Sequence, residues 1–278
     1  MTFRVGWFST GRDRAARDLL RMAMENMERG TIPDSRICYV FSNREWRESQ
    51  ISDSFFRLIE DLRMPLICCS SRKFFPQLRK KALIEQKKGN LLLINRWRLL
   101  YDRKIMRLIR EHSVDVIVLA GYMLILGGKF CRNHPVINLH PALPGGPRGT
   151  WQEVIWQLIE EEADRSGVMM HLVTSLLDSG SPLTYSSFSL KGEKFTSLWD
   201  QMKKKIKKKG LKQIQKEEGE GEPLFKAIRR EGVKREFPLV VMTLQAVAEG
   251  KIRIEKGAVL IGKKRDQPLC LDGQFSVL

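Results

Sequence analysis

The chain contains few residues of the kinds that build metal centres or disulfide frameworks. It has five cysteines and four histidines among 278 residues. The cysteines are odd in number and no two of them form a Cys-x-x-Cys pair, which argues against a zinc site and against paired disulfides. We therefore expect no metal, and a reducing, cytoplasmic location.

Long apolar stretches are also missing. No run of about 18 uninterrupted apolar residues is present, so a transmembrane helix is not expected. The first residues, Met1–Phe8, become polar too soon for a signal peptide and are typical of a first strand. With 42% hydrophobic residues, the chain can still bury a large core. These features predict a soluble protein with no membrane partner.

Acidic residues are fewer than basic ones. The chain has 49 lysines and arginines but only 32 aspartates and glutamates, which gives a net charge of +17. Residues 203–216 carry eight lysines and no acid, and residues 217–222 then carry four glutamates. Like-charged runs are usually solvated. We predict an exposed helical excursion over residues 191–222, with disorder as the alternative. We also predict weak, non-specific binding of nucleic acid.

Strand-like and helix-like patterns alternate along residues 1–190. This order predicts an α/β core with a doubly wound, mostly parallel sheet that is covered by helices on both faces. The predicted strands are Phe3–Phe8, Arg36–Phe41, Pro65–Cys69, Val114–Gly121, Val136–His140 and Gly167–Thr174. The predicted helices are Ala16–Met27, Phe55–Leu62, Phe74–Arg110 and Thr150–Ile159. Residues 223–278 are predicted to supply a final core helix and a C-terminal hairpin.

The strand Val136–His140 brings two polar side chains to its carboxyl end. Strand side chains alternate between faces, so Asn138 and His140 point the same way. Pro141 cannot continue a hydrogen-bonded ladder, which places His140 at the rim of the sheet. An amide donor beside a titratable ring can stabilise an oxyanion and move a proton. A purely structural histidine is the alternative on these residues alone.

A second segment extends this pattern. The residues Gly167-x-x-x-His171-x-Val173-Thr174 are followed by Leu177-Asp178-x-Gly180. Together with Asn138-x-His140-Pro141, these motifs in this order resemble the folate-dependent formyltransferases. The segment 115–126 and the last helix near Pro238 agree with that family. The resemblance covers most of residues 1–190 and resumes near residue 224, and it implies the family's Rossmann-like fold.

The resemblance also implies the chemistry. The expected reaction transfers a formyl group from 10-formyltetrahydrofolate to the amine of glycinamide ribonucleotide, a small-molecule substrate, without a metal. Asn138 and His140 would stabilise the oxyanion, and Asp178 would orient His140 and take the amine's proton. We expect all three residues at strand carboxyl ends, where the ligands of doubly wound sheets bind.

Further substrate contacts follow from the same resemblance. The first strand-to-helix turn would hold the acceptor's phosphate, because helix N-termini favour anions. The residues expected there are Thr10, Gly11 and Arg12. The residues expected to bind the folate are Met123, Leu124, Ile125, Leu126, Thr174 and Leu177. Further possible substrate contacts are Arg148, Thr150 and His171, although His171 fits a pocket wall better than a second base.

Several alternatives remain open from the sequence. The loops at 9–14 and 145–151 depart from the family's pattern, so another formyl acceptor is possible: water, a sugar amine or methionyl-tRNA. A different class is a non-catalytic nucleic-acid-binding protein on the same scaffold. Either a monomer or a homodimer is compatible with the sequence.

Overall fold

The computed structural model describes residues 2–255, 257–262, 264–265 and 267–274. The strands are β1 (Phe3–Phe8), β2 (Ser35–Ser42), β3 (Leu66–Cys68), β4 (Val116–Leu119), β5 (Val136–His140), β6 (Arg165–Leu172), β7 (Pro182–Ser189), β8 (Ile252–Glu255), β9 (Ala258–Ile261), β10 (Lys264–Arg265) and β11 (Leu269–Cys270). Eight of them form one sheet, in the order β11-β7-β6-β5-β4-β1-β2-β3.

Helices cover both faces of this sheet. They are α1 (Arg14–Glu28), α2 (Gln50–Asp61), α3 (Pro76–Lys87), α4 (Leu92–Leu108), α5 (Gly128–Asn133), α6 (Trp151–Glu160), α7 (Glu193–Lys209), α8 (Leu211–Glu217) and α9 (Pro223–Ala248). Side chains of β4 alternate, so Val116 and Val118 pack with α1, α2 and α9 while Ile117 packs with α3, α4 and α5. The continuous apolar character of β4 follows from burial on both sides.

The doubly wound, mostly parallel sheet predicted from the sequence is confirmed, with one reversed strand. β6 runs antiparallel to both β5 and β7. The carboxyl ends of the adjacent strands β5 and β6 therefore point in opposite directions. The expectation that Asp178 lies at a strand carboxyl end on the same side of the sheet as those of Asn138 and His140 is wrong, because β6 is reversed and the loop after it carries Asp178 back to His140.

Two predicted helices have different bounds. The helical pattern of residues 74–110 is divided into α3 and α4, because Gly89 adopts a left-handed backbone with φ +86° that ends a right-handed helix. The last helix starts at Pro223, the first residue of the region predicted to supply it, and Pro238 lies inside it. Pro238 lacks one helical hydrogen bond, but the apolar residues on both sides of it are buried and hold the helix together.

The lysine-rich segment is helical, and one of its faces is buried. It forms α7, α8 and a 3-10 turn at Gly219–Gly221. Met202 and Ile214 are fully buried in a third apolar cluster shared with α6 and α9. The Lys205 ammonium pairs with Glu218 at 2.6 Å and with Glu222 at 3.2 Å. The segment is therefore not simply a solvated surface.

The C-terminal residues form a small second sheet. β8 and β9 pair antiparallel, as the predicted hairpin requires, and β10 adds a third strand. The hairpin's residue 256 and the final residues 275–278 lie outside the described residues. Within the described part of the chain, no helix is long and apolar enough to cross a membrane.

Candidate active site

A cavity of about 410 Å³ opens beside the carboxyl ends of β4 and β5. Most of the site residues predicted from the sequence line it. They are Arg12, Met123, Leu124, Ile125, Leu126, Asn138, His140, Thr150, His171, Thr174, Leu177 and Asp178. Segments that are far apart in the sequence thus share one concave surface, as ligand sites usually require.

Four polar side chains form a cluster in this cavity, which we call the buried cluster. The side chains of His140, His171 and Asp178 are buried, and Asn138 is half-buried. Asn138 of β5 lies directly across the ladder from His171 of β6. The Asp178 carboxylate reaches both rings, with Oδ2 3.5 Å from His140 Nδ1 and Oδ1 3.5 Å from His171 Nε2. The cluster therefore connects a hydrogen-bond donor, two imidazoles and a carboxylate.

His171 fixes the orientation of the Asn138 amide. The ring's Nδ1–H donates to the Leu172 carbonyl at 3.0 Å, because a carbonyl can only accept. Nε2 is then free to accept from the Asn138 amide nitrogen at 3.2 Å. The amide's second N–H remains available to a ligand. The sequence did not reveal this role, which depends on the register between β5 and β6.

His140 has its two nitrogens in different surroundings. Its Nε2–H donates to the Pro147 carbonyl at 2.8 Å, so Nδ1 is the atom that exchanges a proton opposite Asp178. Burial lowers the pKa of His140 below its ordinary value, against the opposing effects of the Pro147 carbonyl and Asp178. The ring can therefore accept a proton at neutral pH.

Asp178 is held in an uncommon backbone conformation, with φ +45°. Burial opposes its ionisation, but the neighbouring groups, His171 first and then His140 and the Gly149 amide, outweigh burial and lower the pKa of Asp178. The Gly149 N–H donates to Oδ2 at 3.2 Å. Gly149 itself has φ +114°, and a Cβ there would lie 2.6 Å from a Glu153 oxygen. Only glycine fits easily at this position.

A second side of the cavity is charged. Arg12, Trp151, Arg229 and Glu236, which we call the charged wall, lie at α1, α6 and α9. The Arg229 guanidinium lies over the Trp151 ring, 4.7 Å from its centroid, and pairs with the Glu236 carboxylate. No local pattern predicts Arg229 or Glu236 as site residues, because they are distant in the chain from every motif.

The third side of the cavity is apolar and is formed by the segment 122–126. Leu126 is buried, whereas Met123 and Leu177 are partly exposed at the rim. Asp102 of α4 anchors the end of this segment by accepting from the Gly127 amide at 2.7 Å. Burial raises the pKa of Asp102 to about 6.

Three predicted site residues do not line the cavity: Thr10, Gly11 and Arg148. Thr10 is buried and its hydroxyl accepts from the Met123 amide at 3.1 Å. The Gly11 amide donates to the Ser9 hydroxyl at 3.1 Å, so it is not free for a phosphate. Arg148 points to solvent as an exposed residue. These residues shape or flank the loops around the cavity.

The described residues contain no group of three or more His, Cys, Asp and Glu side chains placed to hold a metal ion. What the cavity offers instead is a donor, a proton acceptor and a carboxylate within hydrogen-bonding range of one another. Such a set suits acyl transfer through an oxyanion.

Comparisons with known proteins agree with this geometry. The phosphoribosylglycinamide formyltransferase of Saccharomyces cerevisiae is 35% identical over 97 residues, which are 32% of this chain and 45% of that protein. The enzyme of the same name from Dictyostelium discoideum is 38% identical over 117 residues, 36% of this chain and 57% of that protein. The chain thus spans about half the length of these relatives.

Solved structures share the fold. The phosphoribosylglycinamide formyltransferase of Coxiella burnetii has a TM-score of 0.66 at 16% identity, covering 97% of this chain and 99% of that one. A formyltetrahydrofolate deformylase of Pseudomonas syringae has a TM-score of 0.59 at 17% identity, covering 94% and 66%. At these identities the likeness concerns the fold alone.

The family described as formyl transferase matches residues 67–215. This range is more than half of the chain and contains all four residues of the buried cluster. The protein therefore belongs to the formyl transferase family.

Proposed function

We propose that this protein transfers the formyl group of 10-formyltetrahydrofolate to the amine of glycinamide ribonucleotide, a step of purine biosynthesis. The observation that carries the proposal is the buried cluster, in which Asp178 lies 3.5 Å from His140 and from His171. The names of the relatives from Saccharomyces cerevisiae and Dictyostelium discoideum support the same acceptor.

The chemistry begins when the acceptor amine attacks the formyl carbon. A tetrahedral intermediate forms with its negative charge on the former carbonyl oxygen. The free N–H of Asn138 donates to this oxygen, and losing such a donor typically costs ~100-fold or more in turnover. The orientation that His171 imposes on Asn138 prepares the donor before the substrate arrives.

The proton of the attacking amine must leave as the new carbon–nitrogen bond forms. His140 Nδ1 and Asp178 take it, directly or through a water, since Asp178 is ionised at neutral pH. The bond between the formyl carbon and N10 of the folate then breaks, and N10 receives the proton that the His140–Asp178 pair had taken from the amine. Tetrahydrofolate and the formylated amine are the products.

The two substrates occupy opposite sides of the cavity in this proposal. The pterin lies along the apolar side with Met123–Leu126, Thr174 and Leu177. The phosphate of the ribonucleotide lies at the charged wall, where Arg12 and Arg229 supply guanidinium donors suited to phosphate. Thr10 and Gly11 support this end by shaping the loop.

The test is an acceptor panel. The protein is incubated with 10-formyltetrahydrofolate and either glycinamide ribonucleotide, a sugar amine, methionyl-tRNA or buffer alone, and release of tetrahydrofolate is followed. We expect release to depend on glycinamide ribonucleotide. Equal release in buffer alone would identify a deformylase, and preference for another amine would replace the proposed acceptor. Asp178→Asn serves as the inactive control.

A further inference from the structure

The two helices between β3 and β4 leave apolar side chains in solvent. We call residues 80–96, where α3 turns back into α4, the α3–α4 tip. Residues 87–92 are exposed without interruption. Leu91 and Leu92 are 50% and 74% exposed, and Ile84 is 49% exposed. Large aliphatic side chains exposed within one short segment are typical of an interaction surface.

These leucines are not displaced members of the core. The opposite faces of the same helices are well buried, with Ala82 of α3 and Ile94 and Trp97 of α4 in the cluster under the sheet. The helices are thus fully packed on one side. Their second apolar surface faces away from the protein.

The tip is also cationic. It contains five lysines and arginines and one acid, and the acid, Glu85, pairs with Lys88 at 2.9 Å. Lys80, Lys81, Lys87 and Arg96 have no ion pair among the described residues. A partner for this surface must therefore combine negative charge with an apolar interior.

We propose that the α3–α4 tip docks on an anionic lipid bilayer. Leu91, Leu92 and Ile84 enter the boundary between headgroups and acyl chains, and the lysines contact the lipid phosphates. Exposed Leu residues with flanking Lys and Arg are the composition of segments that lie at this interface. Such docking needs no spanning helix, so the missing apolar run does not exclude it.

Other occupants fit the tip less well. A second copy of the chain would bring the same cations face to face. Nucleic acid binds through phosphate contacts and base stacking on aromatic rings, and the tip residues exposed beside the lysines are aliphatic. An anionic bilayer offers negatively charged headgroups to the lysines and an apolar interior to the aliphatic side chains.

The experiment is co-sedimentation of the full-length protein with vesicles of phosphatidylcholine alone and of phosphatidylcholine with phosphatidylserine. We expect binding only to the anionic vesicles, weakened by salt. Leu91→Ser/Leu92→Ser should reduce partitioning roughly 10-fold or more. Because both residues are exposed, the melting temperature should stay unchanged.

A matched pair of charge variants distinguishes vesicle binding through the tip from vesicle binding that depends only on the protein's net positive charge. Lys80→Gln/Lys81→Gln/Lys87→Gln should reduce partitioning roughly 100-fold. Lys204→Gln/Lys207→Gln/Lys208→Gln removes the same amount of positive charge from exposed positions of α7. Partitioning of this variant onto anionic vesicles should stay within a few-fold of that of the unmodified protein.

The proposal is overturned by equal partitioning onto both vesicle types, by no partitioning onto either, by equal losses in the two charge variants, or by full binding of the leucine variant. Leucine-dependent dimers in light scattering without vesicles would also overturn it. Tighter binding to a DNA duplex than to anionic vesicles would assign the tip to nucleic acid instead. None of these results depends on the formyl acceptor.

Discussion

The buried cluster and the charged wall face the same cavity but are held in different ways. The cluster's three ring and amide side chains stand on two adjacent strands, and His140 and His171 are almost fully buried. The wall is assembled from α6, α9 and the loop before α1, and the side chains of Arg12 and Arg229 are 37% and 25% exposed. Buried groups act in a low dielectric, whereas partly exposed charges are screened more strongly by water and salt.

The chemical step and the anchoring of the acceptor are therefore assigned to different parts of the cavity. Changes in the cluster should act on the rate of the chemical step, because its geometry is prepared in advance. Changes in the wall should act on acceptor affinity.

Asp178→Asn should lower kcat by about 100-fold to 10,000-fold, the usual range for loss of a proton acceptor, with little change in the KM of either substrate. Steady-state kinetics with both substrates measures this. Asp164→Asn, which removes an exposed carboxylate paired with Lys191, is the matched control. A large rise in acceptor KM with unchanged kcat would place Asp178 in binding rather than chemistry.

Ile214→Ala should reduce the free energy of unfolding by roughly 2–5 kcal/mol, as expected for a fully buried isoleucine. Ile214 belongs to the cluster that supports α6 and α9, and thus Trp151 and Arg229 of the wall. Urea denaturation measures the effect, and the exposed Lys208→Ala should change stability by less than about 0.5 kcal/mol. Equal stability of the two variants would show that α8 is dispensable to the wall.

Arg229→Ala should raise the acceptor KM about 10-fold to 100-fold, the value of one charged hydrogen bond, while kcat stays within a few-fold. Its neighbour Arg230 is exposed and does not line the cavity, so Arg230→Ala should have no effect. A kcat loss as large as that of Asp178→Asn would remove the distinction between wall and cluster.

The change in the pH dependence of the free energy of unfolding should be smaller than the effects above. Because the pKa of His140 is lowered in the folded protein, the unfolded chain binds the proton first as pH falls. This site's contribution to stability is therefore complete above about pH 6.5 and decreases below it. His140→Gln should flatten this part of the stability profile, measured by urea midpoints between pH 7.5 and 5. An unchanged slope would mean that another group controls it.

The sequence alone determined the local features of the site. The period of two in β5 placed Asn138 and His140 on one face, and both line the cavity. The Thr150 capping box follows from residues three apart and is present, with the Glu153 amide donating to the Thr150 hydroxyl. Both depend on contacts between near neighbours in the chain, so the pattern is enough to predict them.

The other features of the site and of the lysine-rich segment depend on the tertiary structure. The reversal of β6 set His171 beside Asn138, and the loop after β6 brought Asp178 back over the sheet. Arg229 and Glu236 reached the cavity because α9 begins 15 residues before Pro238. The burial of Met202 and Ile214 gave the lysine-rich segment a structural role. Each of these arrangements depends on packing between residues far apart in the chain, and periodicity within one segment carries no information about it.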